Sequence, residues 1–155
     1  MQDKLKFSVV INNTLSHALS IDKRVFCCGL GINDPTGIFG TTLGLNKKYG
    51  SKRVFDFPTS ENALTGICIG ASLNKYIPIM THQRLDFFLL ALDQIINSAA
   101  KYHYMYGSQL SVPITIRLII GRGWGQGPTH SQSLQSLFYH IPGLKVVMPS
   151  NPEDA

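Results

Sequence analysis

Short β-prone runs alternate with helical patterns along the whole chain, and that alternation leaves few folds open. Phe7, Val10, Ile11, Leu15, Ala18 and Leu19 recur at helical spacing, which predicts a first amphipathic helix. "RVFCCGLG" reads as a short buried strand, followed by the turn-rich "NDPTGIFGTTLG". "RVFDF" is a second strand, and "SENALTGICIGASLNKY" a helix whose glycines permit close packing. "IPIMTH" is a third strand, and "LDFFLLALDQIINSAAKYHYMYG" the longest helical pattern, ended by Gly107. "VPITIRLII" is a fourth strand in which Val, Ile and Thr predominate. "GRGWGQGPT" is a loop, "HSQSLQSLFYH" a helix and "KVVMPS" a fifth strand. Strands that alternate with helices predict an α/β fold of three layers, a mainly parallel sheet with helices on both faces. The length suits a single domain over residues 1–155.

In such sheets functional loops gather beyond the carboxyl ends of the strands. The conspicuous ones here are "GINDPTGIFG", "PTSEN" and "GRGWGQGPTHSQ". The closing "SNPEDA" has a Ser or Asn cap, then Pro, then acids, so it reads as the start of another helix. A chain that stops there is expected to be a domain of something longer, or a truncated reading frame.

Charge and cysteines narrow the function classes. Only 15% of residues are charged, which suggests a surface covered by partner subunits. The net charge of +5 is scattered; "NKKYGSKR" is the densest basic stretch and reads as a solvated connection, so no nucleic-acid partner is expected. Cys27, Cys28 and Cys68 make no disulfide framework and have no metal spacing. Neither a secretion signal nor a membrane-length apolar run is present, so no membrane association and a cytoplasmic location are expected.

Several residues could carry chemistry, each with a plain alternative. Glu61 follows Ser60, a residue able to cap the helix, and an acid in the first turn gains about 0.3–1 kcal/mol from the helix dipole. It is equally a candidate for a partly buried proton carrier, since loss of solvent favours the neutral carboxyl. The glycine loop could hold an anion on its backbone amides, but it has neither Walker nor dinucleotide spacing. His130, directly after that loop, is an acid/base or substrate-binding group or simply a helix-start residue. His82, Arg84 and Asp86 in "THQRLDFF" form either a polar loop with a capping Asp or a second wall of the same site, with Phe87 or Phe88 offering an aromatic face. Trp124 is expected at an interface, and His17, His103 and His140 are read as structural. Ser131 lies in no nucleophile elbow.

Taken together, "DFPTSENALTGICIGASLNKYIP", "LALDQIINSAAKYHYMYG", "VPITIR" and "THSQSLQSLFYHIPGLKVVMPSNPEDA" resemble the pyrimidine-binding domain of transketolase-like enzymes. More narrowly they resemble beta subunits of thiamine-diphosphate-dependent 2-oxo-acid dehydrogenases, the pyruvate and branched-chain type. The resemblance runs through about residues 5 to 155. It implies the thiamine-diphosphate-binding fold in its pyrimidine-domain form, and an oxidoreductase component that decarboxylates a 2-oxo acid and passes on the acyl group. Glu61 then occupies the place of the glutamate that exchanges a proton with the aminopyrimidine ring of thiamine diphosphate. Phe87 matches the aromatic residue packed on that ring, and Gln83 falls on a neighbouring pocket position. His130 matches the histidine that faces substrate and assists acyl transfer to a lipoyl group. Ile114 corresponds to a position whose backbone carbonyl helps bind a structural potassium ion.

The resemblance also implies partners. The diphosphate and its magnesium are held in that family by a Gly-Asp-Gly motif on a separate domain, usually an alpha subunit, and no "GDG" occurs here. The chain is therefore expected to lack the family's C-terminal domain, to self-associate as a dimer within a heterotetramer, and to be inactive without an alpha-type partner. A lipoyl-domain acyltransferase is a further expected partner. Many relatives carry an acid and aromatic residues where "THQR" stands, and a glutamine where Thr129 stands, departures that bear on the substrate. A transketolase or deoxyxylulose-phosphate-synthase-like enzyme, and a non-catalytic assembly or regulatory module, stay open as alternatives.

Overall fold

A strand buried on both faces must bring apolar side chains to each, and "VFCCG" does so by alternation. The computed structural model describes residues 6–121 and 123–155. In it, β1 (Val25–Gly29) runs parallel to β2 (Val54–Asp56) on one side and to β3 (Ile77–His82) on the other. β4 (Thr115–Leu118) adds in parallel beyond β3, giving the order β2-β1-β3-β4.

Side chains of Val25, Cys27, Val54 and Ile79 point to one face. There they meet Leu15 and Leu19 of α1 (Phe7–Ile21) and Leu45 of α2 (Leu45–Tyr49). Cys28 and Met80 point to the other face, against Leu64 and Cys68 of α3 (Glu61–Leu73) and against Leu85 and Phe88 of α4 (Leu85–Phe88). The expected three-layer α/β arrangement is present. The cysteines are free and buried; Cys28 Sγ lies 3.4 Å from Cys68 Sγ. Burial pushes the Cys27 thiol up to about 11.

The long helical pattern after β3 is real but not uniform. α4 passes into a 3-10 turn at Leu89–Ala91 and a π-helical turn at Gln94–Ala99, and α5 (Tyr102–Met105) completes the run. The core positions explain the change of pitch. Leu85, Phe88 and Ala91 recur every third residue, which suits the tight turn. Ile95 and Ala100 are five apart, and the Ala100 N–H donates to the Ile95 carbonyl at 2.9 Å, the bond of a wide turn. Gly107 ends the run in the left-handed region at φ +57°, as expected.

Four sequence expectations fail locally. "KVVMPS" forms no strand: β4 has β3 on one side only, and residues 145–150 pair with neither. "HSQSLQSLFYH" yields only α6 (Ser136–Tyr139), because its first residues bond elsewhere. The Gln132 N–H is taken by Asp86 Oδ1 at 3.1 Å, and Ser133 Oγ donates to Gln135 Oε1 at 2.8 Å. Ser60 sits at the cap position of α3, yet its hydroxyl makes no capping bond. Asp86 caps no helix, since it lies inside α4, whose cap position is Arg84, and its Oδ1 accepts the Gln132 N–H instead. The closing segment does turn as expected: Asn151 Oδ1 accepts from the N–H groups of Glu153 and Asp154, both at 2.9 Å.

Gly29 fixes the geometry at the carboxyl end of the sheet. It has φ +156°, and a Cβ there would lie 2.1 Å from the Thr81 carbonyl oxygen. That close approach lets the loops after β1, β2 and β3 converge. Among the described residues no helix is long and apolar enough to cross a membrane.

Candidate functional site

All three parallel crossovers deliver their loops to one edge of the sheet, and there a cleft of about 830 Å³ opens. Its lining comes from every strand end. β1 supplies Leu30 and Gly31; β2 and the residues after it supply Asp56, Phe57, Thr59 and Glu61. β3 and α4 supply His82, Gln83, Arg84 and Phe87, and the loop after β4 supplies Gln126 and His130. Glu61, Gln83, Phe87 and His130, chosen from sequence, therefore share one cleft. Ile114 does not: it precedes β4, packs in the α3 and α4 core, and lines a separate apolar groove of about 640 Å³.

Glu61 is the first residue of α3 and only 8% exposed. Its backbone carbonyl accepts the Thr65 hydroxyl at 2.7 Å, which holds the first turn. A carboxyl group is thus kept at a lined cleft with little solvent, the arrangement in which a proton carrier is useful. Phe87 is 40% exposed although Phe88 beside it is buried, so one aromatic ring of α4 anchors the core and the other faces the cleft. The Phe87 ring meets the His130 imidazole edge-on, with centroids 5.1 Å apart at 82°. His130 is half-buried, and its Nδ1 lies 3.0 Å from Thr129 Oγ1, which favours one ring orientation. The amide of Gln83 reaches across Gly31, where a Cβ would come within 2.3 Å of Gln83 Nε2. Gly31 has φ +78°, a second reason for glycine there.

The structure also brings in residues that sequence reasoning missed or misjudged. Asp56 ends β2 and accepts the N–H groups of Ile32 at 2.5 Å and Asn33 at 3.1 Å, tying the β1 loop to the neighbouring strand. Only the register of β1 on β2 reveals this. His82 is buried at the end of β3 and packs on Phe88, ring centroids 5.0 Å apart. Neither of its ring nitrogens meets a protein partner, and burial lowers its pKa to about 4, so it is neutral near pH 7. Of the two readings of "THQRLDFF", the second wall of the site is the one the geometry supports. Trp124, expected at an interface, covers the Arg84 guanidinium within the chain, with the Arg84 Cζ 4.1 Å from its ring centroid. The basic stretch "NKKYGSKR" is partly built into α2, and Arg53 donates to the carbonyls of Val25 and Asp22 rather than to solvent.

The cleft's carboxyl, exposed aromatic ring and amide suit a flat nitrogen heterocycle. Among the described residues no three of His, Cys, Asp and Glu group closely enough to hold a metal.

Comparison with known proteins agrees with that chemistry. Over 145 residues the chain is 40% identical to the pyruvate dehydrogenase E1 component subunit beta-2, mitochondrial, of Oryza sativa subsp. japonica, covering 94% of this chain and 39% of that protein. It is 40% identical to the 2-oxoisovalerate dehydrogenase subunit beta of Bacillus subtilis (strain 168), covering 94% of this chain and 44% of that one. It is 38% identical over 164 residues to the acetoin:2,6-dichlorophenolindophenol oxidoreductase subunit beta of Cupriavidus necator, covering 99% and 48%. The chain thus spans less than half the length of these curated relatives. The family model for the transketolase pyrimidine-binding domain matches residues 3–155. With nearly every residue inside that match, and with the fold and cleft just described, the chain belongs to the transketolase pyrimidine-binding domain family.

Proposed function

We propose that this chain is the beta-type pyrimidine domain of a thiamine-diphosphate-dependent 2-oxo-acid dehydrogenase, and that residues 1–155 form one domain of it. The observation that carries the reading is the buried Glu61 carboxyl at the start of α3, lining the same cleft as the exposed face of Phe87. When bound, thiamine diphosphate would supply the carbon nucleophile and the electron sink for decarboxylation. The protein's part is to bind, orient and move protons. Glu61 exchanges a proton with a ring nitrogen of the aminopyrimidine, which sets the tautomer of the adjacent amino group. The burial of Glu61 would keep water from competing for the proton. Phe87 would pack on the ring face, and Gln83 would offer amide donors and an acceptor beside it. His130, held edge-on by Phe87, faces the substrate side and carries a proton during decarboxylation and acyl transfer.

The diphosphate and magnesium are held elsewhere in this reading, by an alpha-type partner. The catalytic site is therefore completed at an interface, in an assembly of two alpha-type and two beta-type subunits. Exposed apolar residues on the α3 side, Ile67 and Leu90 among them, suit such contacts. A lipoyl-domain acyltransferase would take the acyl group. Ile114 would contribute one backbone carbonyl to a potassium site, and the location would be cytoplasmic. Calorimetric titration of thiamine diphosphate and magnesium, into the chain alone and into its mixture with the alpha-type subunit, tests the reading. Binding in the mixture only is expected. A well-folded mixed complex that binds no cofactor would instead favour a non-catalytic assembly module.

A further inference from the structure

We propose that the cleft selects a 2-oxo acid bearing a second anionic group, a carboxylate or phosphate at the far end of its chain, and that Arg84 binds that group. The proposal rests on the 2-oxo-acid reading above and adds the substrate class.

Arg84 follows β3 and lines the cleft. Its guanidinium lies over Trp124, 4.1 Å from the ring centroid, with Phe39 5.9 Å away on the loop after β1. The Phe39 and Trp124 rings themselves pack 5.6 Å apart. An arginine held against aromatic rings is oriented before any ligand arrives, so little side-chain entropy remains to be lost on binding. Its present bonds are to neutral oxygens only. Nη1 donates to the Gln83 carbonyl at 2.7 Å, and Nη2 to Gln126 Oε1 at 2.8 Å. Nε is buried without a partner.

Among the described residues no acid forms an ion pair with this cation, although Asp56 and Glu61 line the same cleft. Among the described residues the recorded ion pair is Arg24 with Asp22, remote in sequence from the cleft loops. Asp86, two residues along, gives one carboxylate oxygen to the Gln132 N–H, and its other oxygen has no partner. Asp56, in the same lining, is engaged by two backbone amides. A half-buried, stacked guanidinium in a cleft, with no ion pair among the described residues, fits a planar anion that it can bind through two donors. Gln126 is exposed between Gly125 and Gly127, so its amide oxygen holds the place of an anionic oxygen and can leave it.

In this proposal the anion is the far end of the substrate, because the Arg84 stack is built from different loops than the pyrimidine residues. Glu61 and Phe87, the residues assigned to the pyrimidine, belong to α3 and α4 on one side of the sheet. The Arg84 stack is made with the loops after β1 and β4 instead. Pyruvate and 2-oxoisovalerate, named for the relatives above, carry one carboxylate each.

The test uses the complex purified through a tagged copy of the full chain with its alpha-type partner. kcat/KM is measured for pyruvate, 2-oxoisovalerate, 2-oxoglutarate, 2-oxoadipate and a phosphorylated 2-oxo acid. The wild-type complex should prefer an acid with a second anion by roughly 100-fold, the scale of a charge-assisted hydrogen bond, and Arg84→Gln should bring the ratio close to one. Arg84→Lys, which keeps the charge but not the fork, should fall between. A wild-type preference for pyruvate or 2-oxoisovalerate overturns the proposal. So does an equal fall for both substrate types in Arg84→Gln, which would mean that Arg84 binds the carboxylate common to all 2-oxo acids. A complex that turns over no 2-oxo acid would defeat the dehydrogenase reading instead, and calorimetry with glutarate and inorganic phosphate then decides the anion site separately. Binding that Arg84→Gln abolishes supports it. Absence of binding, or binding that survives the substitution, overturns it.

Discussion

The Phe87 ring and the His130 imidazole meet edge to face, 5.1 Å between centroids and 82° between planes, across the mouth of one cleft. One residue comes from α4 after β3, the other from the loop after β4, so the pair reports how accurately these two strand-end segments are aligned. Pairs of this kind contribute about 0.5–1.5 kcal/mol beyond their buried area. Phe87→Ala is expected to weaken thiamine diphosphate binding by roughly 10-fold in the mixed complex, while an exposed ring leaves thermal stability nearly unchanged. Calorimetry and a thermal melt read the two effects separately. A collapse of the melt with unaltered affinity would make Phe87 a packing residue.

His82 sets a pH dependence whose sign follows from burial. Its folded-state pKa is about 4 against an ordinary value of 6.5, so the unfolded chain binds a proton that the folded chain refuses. Above pH 6.5 there is no penalty. As pH falls through the window from 6.5 to about 4, the penalty grows by at most about 1.4 kcal/mol per unit. His82→Phe should flatten this part of the stability profile, measured by urea melts at pH 7.5 and pH 5. An unchanged slope would contradict the account.

Gly29→Ala is expected to abolish folding or cost several kcal/mol. The added carbon would sit 2.1 Å from the Thr81 carbonyl oxygen, a backbone atom of the adjacent strand that cannot step aside. Solubility and circular dichroism of the variant are sufficient readouts. A folded, wild-type-like Gly29→Ala would show that the two strands can part at no great cost.

Period and punctuation made the layers legible in the sequence. "VFCCG" and "IPIMTH" announced buried strands, and Gly107 announced a helix end, because each signal is local. Two of the failures, the start of "HSQSLQSLFYH" and the expected Asp86 cap, turn on one bond between segments distant in sequence. "HSQSLQ" loses its first turn to the Asp86 carboxylate, whereas "KVVMPS" has strand composition and yet pairs with no strand of the sheet. Of the candidate site, Glu61, Gln83, Phe87 and His130, chosen from the resemblance, line one cleft. The site was not legible in Asp56 or in the Arg84–Trp124 stack, since the partners of each lie on loops separated by other elements. Ile114 was matched by position to an ion site, and its surroundings here are an apolar groove.

The central claim is that the Glu61 carboxyl carries a proton for the cofactor rather than merely starting a helix. It is tested most directly by carbon dioxide release from a 2-oxo acid in the mixed complex, at saturating thiamine diphosphate, with Glu61→Gln. The amide keeps the size of the side chain and removes the exchangeable proton. Loss of a transferred proton should lower kcat by roughly 10²–10⁴-fold with the complex still folded and assembled. A variant within threefold of the wild-type rate would contradict the account and leave Glu61 as the first residue of a helix, nothing more.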